Sequence, residues 1–263
     1  TAQGILIQSG AVVPNLTISG GVGAGTGDDG NAIAIRDLSG TLTTINNSGS
    51  IAATSTNATT GSLIAIDVSA NTTGVAIHNA NTAATGTPRI TGAILFGSGN
   101  DLLDIARGTV TGNVSFGAGN NSLTLENGGG LTGNATFGAG ADSVVLTGLS
   151  HIDGTLNFGG GADVLTIGNG TRVTGTITNA AGLTATVNGA LNLNSTAPVT
   201  IGALHVGSTG VIGLTVNSTS QVASQINVGG AASFDAGATI KVSLSSVSSG
   251  AGTYRIINAG SLT

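Results

Sequence analysis

A segment that repeats at a short, nearly constant interval limits the possible folds more than any composition does, and residues 90–179 repeat every 20 or 21 residues. Ile90-Thr91-Gly92 returns as Val110-Thr111-Gly112, Leu131-Thr132-Gly133, Ile152-Asp153-Gly154 and Val173-Thr174-Gly175. Phe96, Phe116, Phe137 and Phe158 hold one fixed place in the unit, and each is followed by a Gly-x-Gly that starts at Gly97, Gly117, Gly138 or Gly159. An Asx position comes next (Asp101, Asn121, Asp142, Asp163), and an alternating apolar pair closes the unit: Leu103/Ile105, Leu123/Leu125, Val144/Leu146 and Leu165/Ile167.

A period near 20 with an alternation of two inside it means short strands joined by turns and stacked with like residues above like. The expected fold is all-β: a right-handed parallel β-helix, or β-solenoid, of about 20–21 residues per coil in its central part. No single coil can bury its own apolar edge, so each needs the coil above and the coil below. Val110, Val114, Phe116, Leu123 and Leu125 share a parity within their strands and point inward. The Phe row and the Gly at the following turn are structural positions. Gly permits backbone angles that other residues resist, and the Asx side chain is expected to bond the turn that follows it.

Composition agrees with a narrow stacked core. Aromatic residues are 2% of the chain, Cys, Met and Trp are absent, and the apolar supply is Ala, Val, Ile and Leu. Charged residues are 6%, well below the roughly 25% typical of soluble domains, so the surface is one of hydroxyls and amides. The 40% apolar content is strictly patterned, which argues for order. Net charge is −5, and the six basic residues (Arg36, Arg89, Arg107, Arg172, Lys241, Arg255) are scattered, so no patch exists to meet a nucleic acid. No run approaches the apolar length of a membrane helix, so no direct membrane span is expected in this chain. The start at Thr1, without a charged or apolar leader, reads as a signal peptide already removed.

Three regions are expected. Residues 1–89 read as irregular solenoid coils with protruding loops, 90–182 as the regular repeat, and 183–263 as C-terminal coils with a cap. In the first region Gly4–Ile7 and Leu16–Ile18 read as strands and Gly20–Gly30 as a loop. Ala32–Asp37 resembles Leu63–Val68, and Leu42–Asn47 resembles Val75–Asn79, an offset of about 31 residues that places extra loop at Ala52–Gly61 and Asn79–Pro88. After Asn179, Leu191/Leu193, Val199/Ile201, Leu204/Val206 and Leu214/Val216 continue as strands. Well-separated strands at Ser224–Ala232, Ala238–Leu244 and Gly252–Gly260 finish the chain. About twelve coils at about 4.8 Å each would make a shaft on the order of 60 Å.

The stretches LHVGSTGVIGLTVN, QINVGGAASFDAGATIKVSL and GTYRIINAGSLT, from Leu204 to Thr263, resemble the C-terminal end of the passenger domain of bacterial autotransporters, the type V secreted proteins. The upstream units, such as TGNVSFGAGNNSLTL, resemble the passenger's solenoid coils. The resemblance implies a passenger exported through an outer-membrane β-barrel of the same precursor, with its last segment an autochaperone-like cap from which folding proceeds. It places the chain at the cell surface or outside the cell, attached to a Gram-negative outer membrane. The barrel is not among these 263 residues.

Chemistry-bearing motifs are few. The column Phe-Gly-x-Gly-x-Asp-x-apolar overlaps the calcium-binding nonapeptide of β-rolls, which makes Asp101, Asn121, Asp142 and Asp163 calcium candidates. Against this, the motif recurs once per coil rather than every nine residues, and Phe stands where the first Gly belongs; the competing reading is turn capping. A glycan-cleaving enzyme needs two carboxylates on one face, but Asp104, Glu126 and Asp153 fall in different columns and no aromatic platform awaits a sugar. His78, His151 and His205 fit no metal spacing, and no Gly-x-Ser-x-Gly elbow is present. No catalytic residue and no cofactor are expected. The functional expectation is a non-enzymatic adhesin or structural spacer that meets itself, host cells or neighbouring cells. The alternatives are a self-assembling filament or layer subunit and a polysaccharide-active β-helix enzyme.

Overall fold

The computed structural model describes residues 1–27, 30–57, 61–81, 86–246 and 252–263. It is a parallel β-helix built of two sheets, one of 11 strands and one of 17. The 11-stranded sheet takes one strand from each winding, from Asn15–Ile18 at one end to Ile257–Leu262 at the other. Eleven windings at about 4.8 Å give a shaft on the order of 50 Å, shorter than expected because the N-terminal coils and the last coils each take more residues. Among the described residues the only antiparallel pairing joins Val222–Ala223 to Val211–Asn217.

Register is what makes the core. Along the 11-stranded sheet Leu16 lies on Ile45, Ile45 on Ile77, Ile77 on Leu103 and Leu103 on Leu123, and the column continues through Val144 and Leu165 to Leu262. A one-residue slip anywhere would turn every inward side chain to solvent, so a burial pattern this regular fixes the stacking. One continuous apolar cluster runs from Ile7 to Ala232. The four Phe rings form a single interior row inside it. Successive centroids are 5.0, 4.6 and 5.6 Å apart, and the ring planes are inclined by 5°, 7° and 12°.

The glycines that follow those rings are dictated mainly by stacking. A Cβ built on Gly97, Gly117, Gly138 or Gly159 would overlap the carbonyl oxygen of Asn71, Gly97, Gly117 or Gly138 in the coil before. Gly117 and Gly159 also have positive φ (73° and 69°), whereas at Gly97 and Gly138 the close approach is the sole reason.

The N-terminal region departs from several sequence expectations. Gly20–Gly30 is not a loop throughout: Gly21–Thr26 is a strand lying parallel on Ser50–Ser55, because Val22 and Ala24 alternate inward between glycines. The protruding segment expected at Ala52–Gly61 likewise begins as strand, with Ser50–Ser55 buried at Ile51 and Ala53; residues 58–60 lie outside the described residues. Asn79 and Ala80 belong to the strand Ala76–Ala80, and 82–85 also lie outside the described residues. Further on, Val199–Val206 is one strand rather than two, bent by a register shift between Ile201 and Leu204. The strand expected at Gly252–Gly260 is Ile257–Leu262, displaced toward the C-terminus because its partner Ile226–Phe234 supplies the ladder only there.

Candidate functional site

The Asx column marks the corner where each Gly-x-Gly turn enters the 11-stranded sheet. Asp101, Asn121, Asp142 and Asp163 each stand one residue before a strand: Leu102–Ala106, Ser122–Glu126, Ser143–Leu146 and Val164–Ile167. All four are buried, at 1–2% exposure. The backbone N–H groups of Asp101, Asn121 and Asp142 precede the start of the ladder, and a side chain from the next coil supplies the acceptor of each.

The N–H of Asp101 donates to Asn121 Oδ1 at 3.0 Å, that of Asn121 to Asp142 Oδ1 at 2.7 Å, and that of Asp142 to Asp163 Oδ1 at 2.9 Å. Val75 N–H opens the chain of bonds by donating to Asp101 Oδ1 at 2.7 Å. Each side chain thus ties its own coil to the preceding one. This corrects the expectation that it bonds the turn that follows it, and the reason is that the unpaired N–H lies directly along the stacking axis.

The free oxygens are the unusual part. Oδ2 of Asp101, Asp142 and Asp163 is enclosed and meets no hydrogen-bond donor. Burial without a partner disfavours the carboxylate. It pushes Asp101 up to about 6 against the opposing bond from Val75. Desolvation likewise raises Asp142 and Asp163; the bonds with Asn121 oppose it at Asp142, and the nearby Asp163 carboxylate adds to the rise there. The side chains of the column supply few free ligands for calcium. A calcium ion takes roughly six to eight oxygens, whereas the column offers one uncommitted oxygen per carboxyl, and Asn121 Nδ2 aims its donors at Asp142 Oδ1 (3.0 Å) and at the Gly119 carbonyl (3.1 Å). Among the described residues no three His, Asp or Glu side chains converge as metal ligands.

The remaining ionisable groups are dispersed. Asp104 Oδ2 lies 3.2 Å from His78 Nδ1, Asp153 accepts from Arg172 at 2.9 Å, and Asp235 lies 3.7 Å from His205. Each pair stands on a different part of the surface, and Asp104 also lines a shallow hollow of about 350 Å³ together with Glu126 and Arg107.

Two features escaped sequence reasoning. A trough of about 650 Å³ runs along four coils of the 17-stranded sheet, floored by Gly92, Gly112, Gly133 and Gly154 and flanked by Thr111, Thr132, Asn113 and Asn134. Asn113 and Asn134 spend their side-chain oxygens on the N–H of Asn134 and Thr155 (2.9 and 2.8 Å). The Thr-Gly-Asn spacing was the available signal. The second feature is internal. Asn47 and Asn79 occupy the column that Ile105 and Leu125 fill further along, with Asn47 Nδ2 donating to Asn79 Oδ1 at 2.7 Å. Two Asn at core parity in otherwise apolar strands could have disclosed it.

At the C-terminal end Ile240, Val242 and Leu244 lie in register on the buried Ile212, Leu214 and Val216, yet are 41–60% exposed because no coil among the described residues covers them. A cleft of about 570 Å³ opens there beside Phe234, Tyr254 and Leu262.

Compared with known proteins, the chain matches no family model, no curated sequence and no solved structure.

Proposed function

We propose that this chain is a non-enzymatic cell-surface rod, the passenger of an autotransporter, that acts as an adhesin or a structural spacer on a Gram-negative outer envelope. The observation that carries the reading is the stack of eleven coils whose outward positions hold hydroxyl and amide groups and whose Asp–His and Asp–Arg pairs lie on separate parts of the surface. A surface of this kind binds by many individually modest hydrogen bonds repeated along the shaft, and it gains strength from copy number. The Thr and Asn flanks of the glycine-floored trough are one such array, and its partner is the surface of a neighbouring or host cell. The autotransporter assignment rests on the resemblance of residues 204–263 and of the central coils to passenger sequences.

Beads coated with the purified chain test the adhesive half: they should clump with cells, and the Thr111→Val/Thr132→Val variant should clump less. Coated beads that leave cells untouched would remove adhesion and keep the spacer. For the export route, the coding sequence beyond residue 263 should continue into a barrel-patterned segment of roughly 250 residues; its absence would refute the assignment.

The exposed apolar row of Ile240, Val242 and Leu244 favours a second reading, in which rods associate into filaments or layers. Ile240, Val242 and Leu244 would then be covered by another copy. Sedimentation at increasing concentration separates the readings: stacking gives a mass that grows with concentration and returns to the monomer value in Val242→Ser/Leu244→Ser.

A further inference from the structure

We propose that the Asx column is a proton-held ladder: Asp101, Asp142 and Asp163 are neutral carboxylic acids in the folded rod, and the central coils hold together most tightly in mildly acidic surroundings and loosen as those protons leave.

Geometry carries the inference. In each of the three carboxyls one oxygen accepts a backbone N–H from the preceding coil and the other is enclosed and meets no hydrogen-bond donor of the chain. The register places Val75 before the ladder and Leu183 after it, both buried, so the polar run is closed by an apolar side chain at each end.

No basic group offsets a charge there. The strands Leu102–Ala106, Ser122–Glu126 and Ala76–Ala80 carry Asp104, Glu126 and His78 at outward positions, and Asp104 and His78 face each other. Ser143–Leu146, Val164–Ile167, Ala180–Val187, Val114–Gly117 and Ala135–Phe137 carry no ionisable side chain. His151 and Asp153 lie on His151–Asn157, the strand that leads into the turn before Asp163, and Asp153 is held by Arg172. Within the column the Asp163 carboxylate adds to the rise at Asp142. An ionised pair one coil apart in a buried corner is costly, and a proton on one member relieves that cost.

The direction of the pH effect follows from linkage. A carboxyl that holds its proton more firmly in the folded chain contributes stability that is fully present below its unfolded value of 3.8 and is lost as pH rises through its folded value, about 6 for Asp101. For Asp101 that is roughly a hundredfold difference in proton affinity between folded and unfolded chain.

The test is urea unfolding of the full chain at pH 5 and pH 7.5, beside the Asp101→Asn/Asp142→Asn/Asp163→Asn variant. Asn is sterically acceptable because Asn121 already occupies the column. The wild-type midpoint should be higher at pH 5. The variant, which keeps all three His, should lose that difference and match or exceed the wild type at pH 7.5. A wild-type midpoint equal or higher at pH 7.5, or a variant with an unchanged pH difference, would overturn the proposal. Should the variant not fold, carboxyl 13C titration of the wild type decides: Asp resonances with midpoints above pH 5 support the ladder, and completion of all Asp titrations below pH 5 refutes it. Saturating calcium at pH 7.5 should leave the wild-type midpoint in place; a rise would assign the column to a cation instead.

Discussion

Truncation of Phe116 to Ala probes the stacking principle most directly. The ring is fully buried, with Phe96 at 5.0 Å on one side and Phe137 at 4.6 Å on the other. Removing a buried Phe side chain costs about 3–5 kcal/mol through lost transfer energy and the cavity left behind. Each flanking ring contact adds about 0.5–1.5 kcal/mol beyond area. Phe116, with two ring neighbours, should therefore cost more than Phe158, which has only Phe137 at 5.6 Å, by roughly one such contact. The decisive quantity is the coupling. In a one-dimensional stack, Phe116→Ala and Phe137→Ala should couple by about 0.5–1.5 kcal/mol, whereas Phe96→Ala and Phe158→Ala, three coils apart, should add within about 0.5 kcal/mol. Urea unfolding followed by far-UV circular dichroism on the four single and two double variants measures both cycles. Equal coupling for the adjacent and the distant pair would refute the nearest-neighbour account, as would a loss under about 1 kcal/mol for Phe116→Ala.

Three further outcomes follow from the structure. Gly138→Ala should destabilise by about 1–3 kcal/mol because its methyl group meets the Gly117 carbonyl, while Gly20→Ala, which meets nothing within 4 Å, should stay within about 0.5 kcal/mol of wild type in the same urea assay. Asn47→Ala strips partners from Asn79 Oδ1, the Arg89 carbonyl and the Gly49 N–H, and should lower stability by about 2 kcal/mol or more; a thermal midpoint equal to wild type would contradict the buried network. Arg172→Ala removes a half-exposed ion pair with Asp153 and should cost no more than about 1 kcal/mol, an effect that fades in high salt.

Much of this protein could be read from its one-dimensional pattern, because a solenoid places residues one period apart in contact. The interval between Phe96, Phe116, Phe137 and Phe158 already assigns them to one place in successive coils, and the parity of Leu123 and Leu125 already assigns the inner face. Where the period loosened, reading failed. Gly21–Thr26 looked like a loop because glycine punctuates turns, yet its partner strand Ser50–Ser55 lies 29 residues away and nothing local announces that pairing.

The sequence by itself determined that coils stack, which side chains face the axis, and that reactive groups are sparse, since these depend only on spacing and residue type. The tertiary structure decided where the Asx oxygens go. Whether Asp101, Asp142 and Asp163 bond their own turn or the coil before, and whether their second oxygens find a donor, depends on the direction of an N–H one winding away and on Val75 and Leu183 closing the ladder. That enclosure, a property of three dimensions, turns ordinary acidic residues into groups that hold protons.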